Sequence, residues 1–160
     1  MYVPAYDDCV SRPASGLPAW LGPVSRLNVL FLGLGLKIGT QHLLIVRGRK
    51  TGRLRSTPVS LVMLDGHRYI VSAESLSWVM NARAAKWVEL VRGGRRERVK
   101  LTELATAERG PVLRAFWYQV RGGRRFIAQL FGLPANASPE DFEAAAPRCP
   151  VFRIEPSTDP

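Results

Sequence analysis

Residues 42–73 read HLLIVRGRKTGRLRSTPVSLVMLDGHRYIVSA, and this stretch decides the fold. It holds three short aliphatic and β-branched runs, at 42–46, 56–64 and 68–73, with the polar stretch 47–55 joining the first two. Asp65-Gly66 between the second and third runs is the strongest short-range hairpin signal a sequence offers, because both residues accept the positive φ of a two-residue turn.

Outward from this stretch the same alternation recurs. KWVELVR (86–92), Gly93-Gly94 and RRERVKLTEL (95–104) form a second hairpin. Val99 and Leu101 alternate there with Arg98, Lys100 and Thr102, which describes a half-buried strand with a cationic outer face. Between the hairpins, residues 75–85 have helical spacing, with Trp78, Ala82 and Ala85 on one stripe. Thr106 is expected to cap a helix through Gln119, with Leu113, Phe116 and Val120 on its apolar face and Gly110-Pro111 in its first turns. Ser138-Pro139-Glu140-Asp141 opens a short helix that ends before Pro147, and residues 150–156 (PVFRIEP) read as a last strand. Upstream, Ser25 caps a helix to about residue 36, with Leu27, Leu30, Phe31 and Leu34 on one face, and residues 1–23 form a loosely ordered Pro/Gly/Ser-rich arm. Residues 24–160 are therefore expected to be one domain. Its class is α+β, mainly β: about six antiparallel strands in a barrel with flanking helices.

Charge and composition narrow the function. The 160 residues carry a formal charge of +10, which favours an anionic partner. Cys9 and Cys149 stand far apart in no CxxC spacing and read as reduced structural thiols. His42 and His67 have no second ligand at motif spacing, so no metal site is expected, and His67 beside the Asp65-Gly66 turn reads as a solvated loop residue. The start has acids and no basic segment, unlike a secretory signal. The apolar run 27–38 is shorter than the ~20 residues a membrane span needs. Neither G-x-G-x-x-G after a strand nor G-x-x-x-x-G-K-[ST] is present, which excludes the mechanical parts of a Rossmann or P-loop site. Basic runs at 92–100 and 121–125 suit phosphates, but no recognition motif accompanies them and no nucleic-acid partner is expected.

The chemistry concentrates in residues 47–58, which hold five cations, two glycines and three hydroxyls between two strands. Glycines let a backbone turn tightly and expose its N–H groups to an anion. Lys50 and Arg55 flank the turn and can clamp one phosphate from two sides, Arg55 in a bidentate way. The competing reading is a basic hairpin loop that is merely solvated.

Gly48-Arg49-Lys50-Thr51-Gly52, then Arg55, Thr57 and Pro58, followed by the Asp-Gly hairpin, resembles the deazaflavin-dependent nitroreductase family of actinobacterial type. The likeness runs from about Leu43 to the closing PVFRIEP and includes Trp78-Val79, Asn81, Arg83-Ala84-Ala85 and the segment from Glu108 to Ala115. It implies a split β-barrel, FMN-binding-protein-like, that binds reduced coenzyme F420 in preference to FMN and passes a hydride to a quinone, a nitro compound or an activated alkene. By position it assigns phosphate binding to Lys50 and Arg55, loop shaping to Thr51, Gly52 and Pro58, and places near the cofactor to Arg49, Thr57, Trp78 and Asn81. Ser60, Trp117 and Tyr118 fall in the neighbourhood of an acceptor pocket, with a core or interface role open for the two aromatics. No catalytic nucleophile or base is implied, since the cofactor supplies the hydride. Where relatives carry Ser-Lys-Gly-Gly, residues 72–77 read SAESLS; Glu74 would repel a polyanionic cofactor unless it faces away or pairs with Arg83. The implied partners are an anionic cofactor and a small hydrophobic acceptor, in a cytoplasmic monomer or homodimer, with peripheral contact to the inner face of the membrane as an extension. The alternative reading is a non-catalytic split-barrel binder of a lipid, flavin or haem.

Overall fold

The computed structural model describes residues 41–120, 128–129, 131–134 and 136–157. The expected arm at 1–23, the helix at 25–36, Cys9 and the basic run at 121–125 lie outside the described residues.

Six strands form the barrel: β1 (Gln41–Arg47), β2 (Leu54–Leu64), β3 (His67–Val71), β4 (Val88–Arg92), β5 (Arg95–Glu103) and β6 (Val151–Pro156). Among the described residues, the helices α1 (Ser77–Ala84), α2 (Thr106–Gln119) and α3 (Pro139–Ala145) accompany them, with a 3-10 turn at Ala146–Arg148. The barrel is closed in the order β1-β2-β3-β6-β5-β4, and every pairing is antiparallel. Both two-residue turns expected from sequence are present. Asp65 and Gly66 take φ of 50° and 76°, and Gly93 and Gly94 take 58° and 77°, the double positive φ whose twist matches the flanking strands.

Alternation along the strands divides the interior in two. Leu44, Val46, Leu61, Ile70, Leu90 and Phe152 fill the barrel, and Trp78, Val79 and Ala82 of α1 enter the same cluster. Residues of opposite phase, such as Val62 and Tyr69, pack instead beneath Leu113 and Phe116 of α2 and Phe142 of α3. A fully buried side chain of this size contributes about 1.5–3 kcal/mol, so the two clusters are what hold the helices to the wall. Gly110 lies so close to α3 that a Cβ there would stand 3.0 Å from Glu143 Cγ.

One local expectation is corrected. Thr106 does not cap α2: it is the first helical residue, Ala105 holds the cap position, and the Glu108 carboxylate reaches back to accept the Ala105 N–H at 3.2 Å. Gly110-Pro111 falls within the first two turns of α2, as expected. Ser138 and Asp141 also make the expected reciprocal cap on α3, with Pro139 as its first residue. His67 is exposed at the start of β3. Cys149 is a buried thiol whose pKa is pushed up to about 11 by burial, which suits a structural role. Among the described residues no helix is long and apolar enough to cross a membrane, and no cluster of His, Cys, Asp or Glu could hold a metal.

Candidate functional site

The ladder between β1 and β2 runs up to Arg47 opposite Leu54, so the loop proper is 48–53, shorter than the polar stretch suggested. Its shape comes from internal bonds. The Gly48 N–H donates to Arg53 O and the Gly52 N–H to Gly48 O, each at 2.8 Å. Arg47 Nη1 donates to Gly52 O at 3.0 Å, and the Arg53 N–H to Thr51 Oγ1 at 3.4 Å. Among the described residues, no acceptor receives the N–H of Lys50 or Thr51.

Gly48 is the floor of this loop. A Cβ at that position would lie 3.1 Å from Thr51 Oγ1, 3.2 Å from Arg53 O and 3.3 Å from Arg55 Nε. The absent side chain thus lets a hydroxyl, a carbonyl and a guanidinium close over the buried Gly48. Arg55 is half-buried beside it, whereas Arg49 and Lys50 are exposed. No carboxylate among the described residues pairs with Arg47, Arg49, Lys50 or Arg55. Thr57 and Pro58 continue from the loop into β2, half-buried opposite Leu44 and Leu43.

The loop is tied to α1 by Asn81, which is only 6% exposed. Its Oδ1 accepts the backbone N–H of Arg49 at 3.2 Å and Arg49 Nη1 at 3.5 Å. Trp78, three residues earlier, is buried in the barrel with its ring 5.6 Å from that of Phe152. It shapes the site from below as core packing. The structure therefore gathers Arg49, Lys50, Thr51, Gly52, Arg55 and Asn81 around one loop. It does not gather the expected acceptor-pocket residues. Ser60 is half-buried on β2 opposite Gln41, and Tyr118 is 59% exposed on α2. Trp117 is a core residue, its ring edge-on to Phe142 at 6.1 Å, because it follows Leu113 by one helical turn on the buried stripe.

Glu74 does not face the loop's cations as a bare charge. It pairs with Arg83 through two contacts, of 2.5 and 3.0 Å. Arg83 also holds Glu103 at 2.7 and 2.8 Å, and Glu103 takes a third bond from Arg109 Nη2 at 3.0 Å. The Arg83 guanidinium holds both carboxyls below their ordinary range. Arg109, 8% exposed, spends its other donors on Leu104 O and Ala146 O. Sequence reasoning allowed for the Glu74–Arg83 pair but missed its extension to Glu103 and Arg109. The signal was present: Arg109 lies on the helical stripe of Val112, Leu113 and Phe116, and a charge on an apolar stripe must find buried partners.

Residues 24–123 match the profile of the F420H(2)-dependent quinone reductase family. The chain belongs to that family. Its members are F420H2-dependent reductases, and F420 is accordingly the cofactor of this chain. Among solved structures, a pyridoxamine 5'-phosphate oxidase-related, FMN-binding protein from Nostoc punctiforme is 15% identical, with a TM-score of 0.51 over 88% of this chain and 82% of its own. A putative pyridoxamine 5'-phosphate oxidase from Listeria innocua is 11% identical, with a TM-score of 0.48 over 82% and 92%. An F420-H2 dependent reductase, FDR-A, is 18% identical, with a TM-score of 0.46 over 75% and 98%. The Nostoc structure identifies the fold of this F420-dependent family member as the split barrel. No curated protein sequence matches the chain.

Proposed function

We propose that the 48–55 loop holds the phosphate-bearing side chain of F420H2 and that the protein delivers a hydride from it to a quinone, with a nitro compound or an activated alkene as the alternative acceptor. The observation that carries this reading is the donor set of the tight turn built on Gly48. Thr51 Oγ1 and Arg55 Nε meet over Gly48, the N–H groups of Lys50 and Thr51 have no acceptor among the described residues, and no described carboxylate pairs with Arg47, Arg49, Lys50 or Arg55. Consecutive free N–H groups in a tight turn, flanked by cations, form an anion-binding concavity. Arg55 offers a phosphate two donors in one plane, and Lys50 adds a point charge. Both fit a phosphodiester on a flexible chain.

When bound, F420H2 supplies the hydride, and the protein is asked for position, electrostatics and dryness. Asn81 keeps its NH2 group for the ligand while its carbonyl holds the loop. Glu74, satisfied by Arg83, adds no repulsion near the anionic side chain beyond that of a neutralised pair.

Titration of the protein with F420H2, followed by tryptophan quenching with FMN as control, tests the reading. In a Lys50→Ala/Arg55→Ala variant F420H2 binding is expected to weaken by about 100-fold or more, the loss of two charge-assisted contacts, with the melting temperature little changed. Wild-type affinity in that variant, or saturation by FMN alone, removes the assignment.

A further inference from the structure

We propose that Arg83 is a positioning residue for the loop at 48–55, acting through α1 and Asn81; the inference deepens the functional reading above and takes its functional meaning from it. Helix α1 has eight residues, and Leu76 at its cap position offers no side-chain bond. Its own ends do little to fix how it sits. Trp78, Val79 and Ala82 sink one face into the barrel, but apolar burial is non-directional and resists withdrawal better than rotation.

Arg83 supplies the direction. One edge of its guanidinium meets Glu103 through Nε and Nη2, and another meets Glu74 through Nη1 and Nη2. Two carboxylates, each engaged at two points, fix the plane of the guanidinium as a single point charge cannot. Glu103 is the last residue of β5 and is itself held by Arg109, so α1 is pinned to the barrel wall and to α2. Asn81 precedes Arg83 by two residues, about 200° around the helix. Arg83 therefore faces away from the loop and reaches it only by setting the rotation of α1. Asn81 Oδ1 is the acceptor of the Arg49 N–H, the residue immediately before Lys50 and Thr51. A turn of α1 that releases Glu103 also withdraws that acceptor.

The test is amide hydrogen exchange on the full chain, read at Arg49 and at the barrel residues Leu44 and Val62, in wild type, Asn81→Ala, Arg83→Met, Arg83→Lys and the Arg83→Met/Asn81→Ala double variant. Exchange at Arg49 is expected to quicken at least about tenfold in Asn81→Ala and Arg83→Met, with Leu44 and Val62 unmoved. The double variant should exchange no faster at Arg49 than Asn81→Ala alone, because both changes remove one contact. If Arg83→Met does not fold, Arg83→Lys decides: it keeps the charge but loses the two-edged grip, and Arg49 should still exchange faster than in wild type. Wild-type protection of Arg49 in the Arg83 variants, equal acceleration at Leu44 and Val62, or additive acceleration in the double variant each overturns the proposal. F420H2 affinity measured on the same samples separates the two readings. Lost Arg49 protection with unchanged affinity would sink the loop's assignment to the cofactor and leave the positioning role standing.

Discussion

A methyl group at position 48 is the smallest change that probes the site. The Cβ of Gly48→Ala would press on Thr51 Oγ1 and on the carbonyl of Arg53, and a backbone carbonyl within a hydrogen-bonded loop gives way poorly. Overpacking of this kind costs about 1–3 kcal/mol. Because the strain is confined to the loop, F420H2 affinity in Gly48→Ala should fall about tenfold or more while barrel amides keep their exchange rates; isothermal titration and hydrogen exchange read the two effects separately. At this scale sequence was a partial guide. Clustered cations and glycines singled out Lys50 and Arg55 as candidates, with a solvated basic loop as the competing reading, and the structure places both at one turn. Gly48 read only as turn-forming, because its use depends on Arg55 seven residues later folding back over it. Trp78 and Trp117 were harder still: an aromatic residue on a helical stripe looks the same from sequence whether it faces a ligand or a core, and here both are buried.

Elements were more legible than residues, because strand and helix periods are local while side-chain environments are not. All six strands and the three helices described fall where alternation, turn residues and caps placed them, with ends shifted by a few residues. What periodicity could not show is how β2 manages its far end. Among the described residues the β1 ladder reaches as far as Ser60, and the N–H and C=O of Met63 are taken by the Gln119 side chain, at 3.0 and 2.6 Å. One amide thus imitates a neighbouring strand and covers an edge that also displays an exposed methionine. Gln119→Ala should cost about 1–2 kcal/mol, lowering the melting temperature by about 2–6 °C. Light scattering on heating should also reveal association through the uncovered edge, and a variant that melts and scatters as wild type would show that water serves Met63 equally well.

For the molecule as a whole, acid is the informative stress. Arg83 lowers the pKa of Glu74 and Glu103, Arg68 lowers that of Glu97, and Thr102 with Arg153 lowers that of Glu155. Each folded-state value lies below the unfolded one, so each contribution is complete above the unfolded carboxyl range near ~4.3 and disappears as pH falls through the folded values. Melting temperature should be flat from neutrality to about pH 5.5 and then decline, more shallowly in Glu103→Gln than in wild type. The same pairs bear on where the formal charge of +10 is felt: partnered arginines are spent on structure, while Arg47, Arg49, Lys50 and Arg55 have no described carboxylate partner. Barrel closure has a further consequence, for biosynthesis. β6 lies between β3 and β5, with Ile70 beside Phe152 and Leu101 beside Ile154, so the wall has a slot until residues 151–156 have left the ribosome. Phe152 is also the support on which Trp78 rests. A nascent chain that has already exposed its cationic loop therefore lacks the ground beneath α1 until those residues emerge.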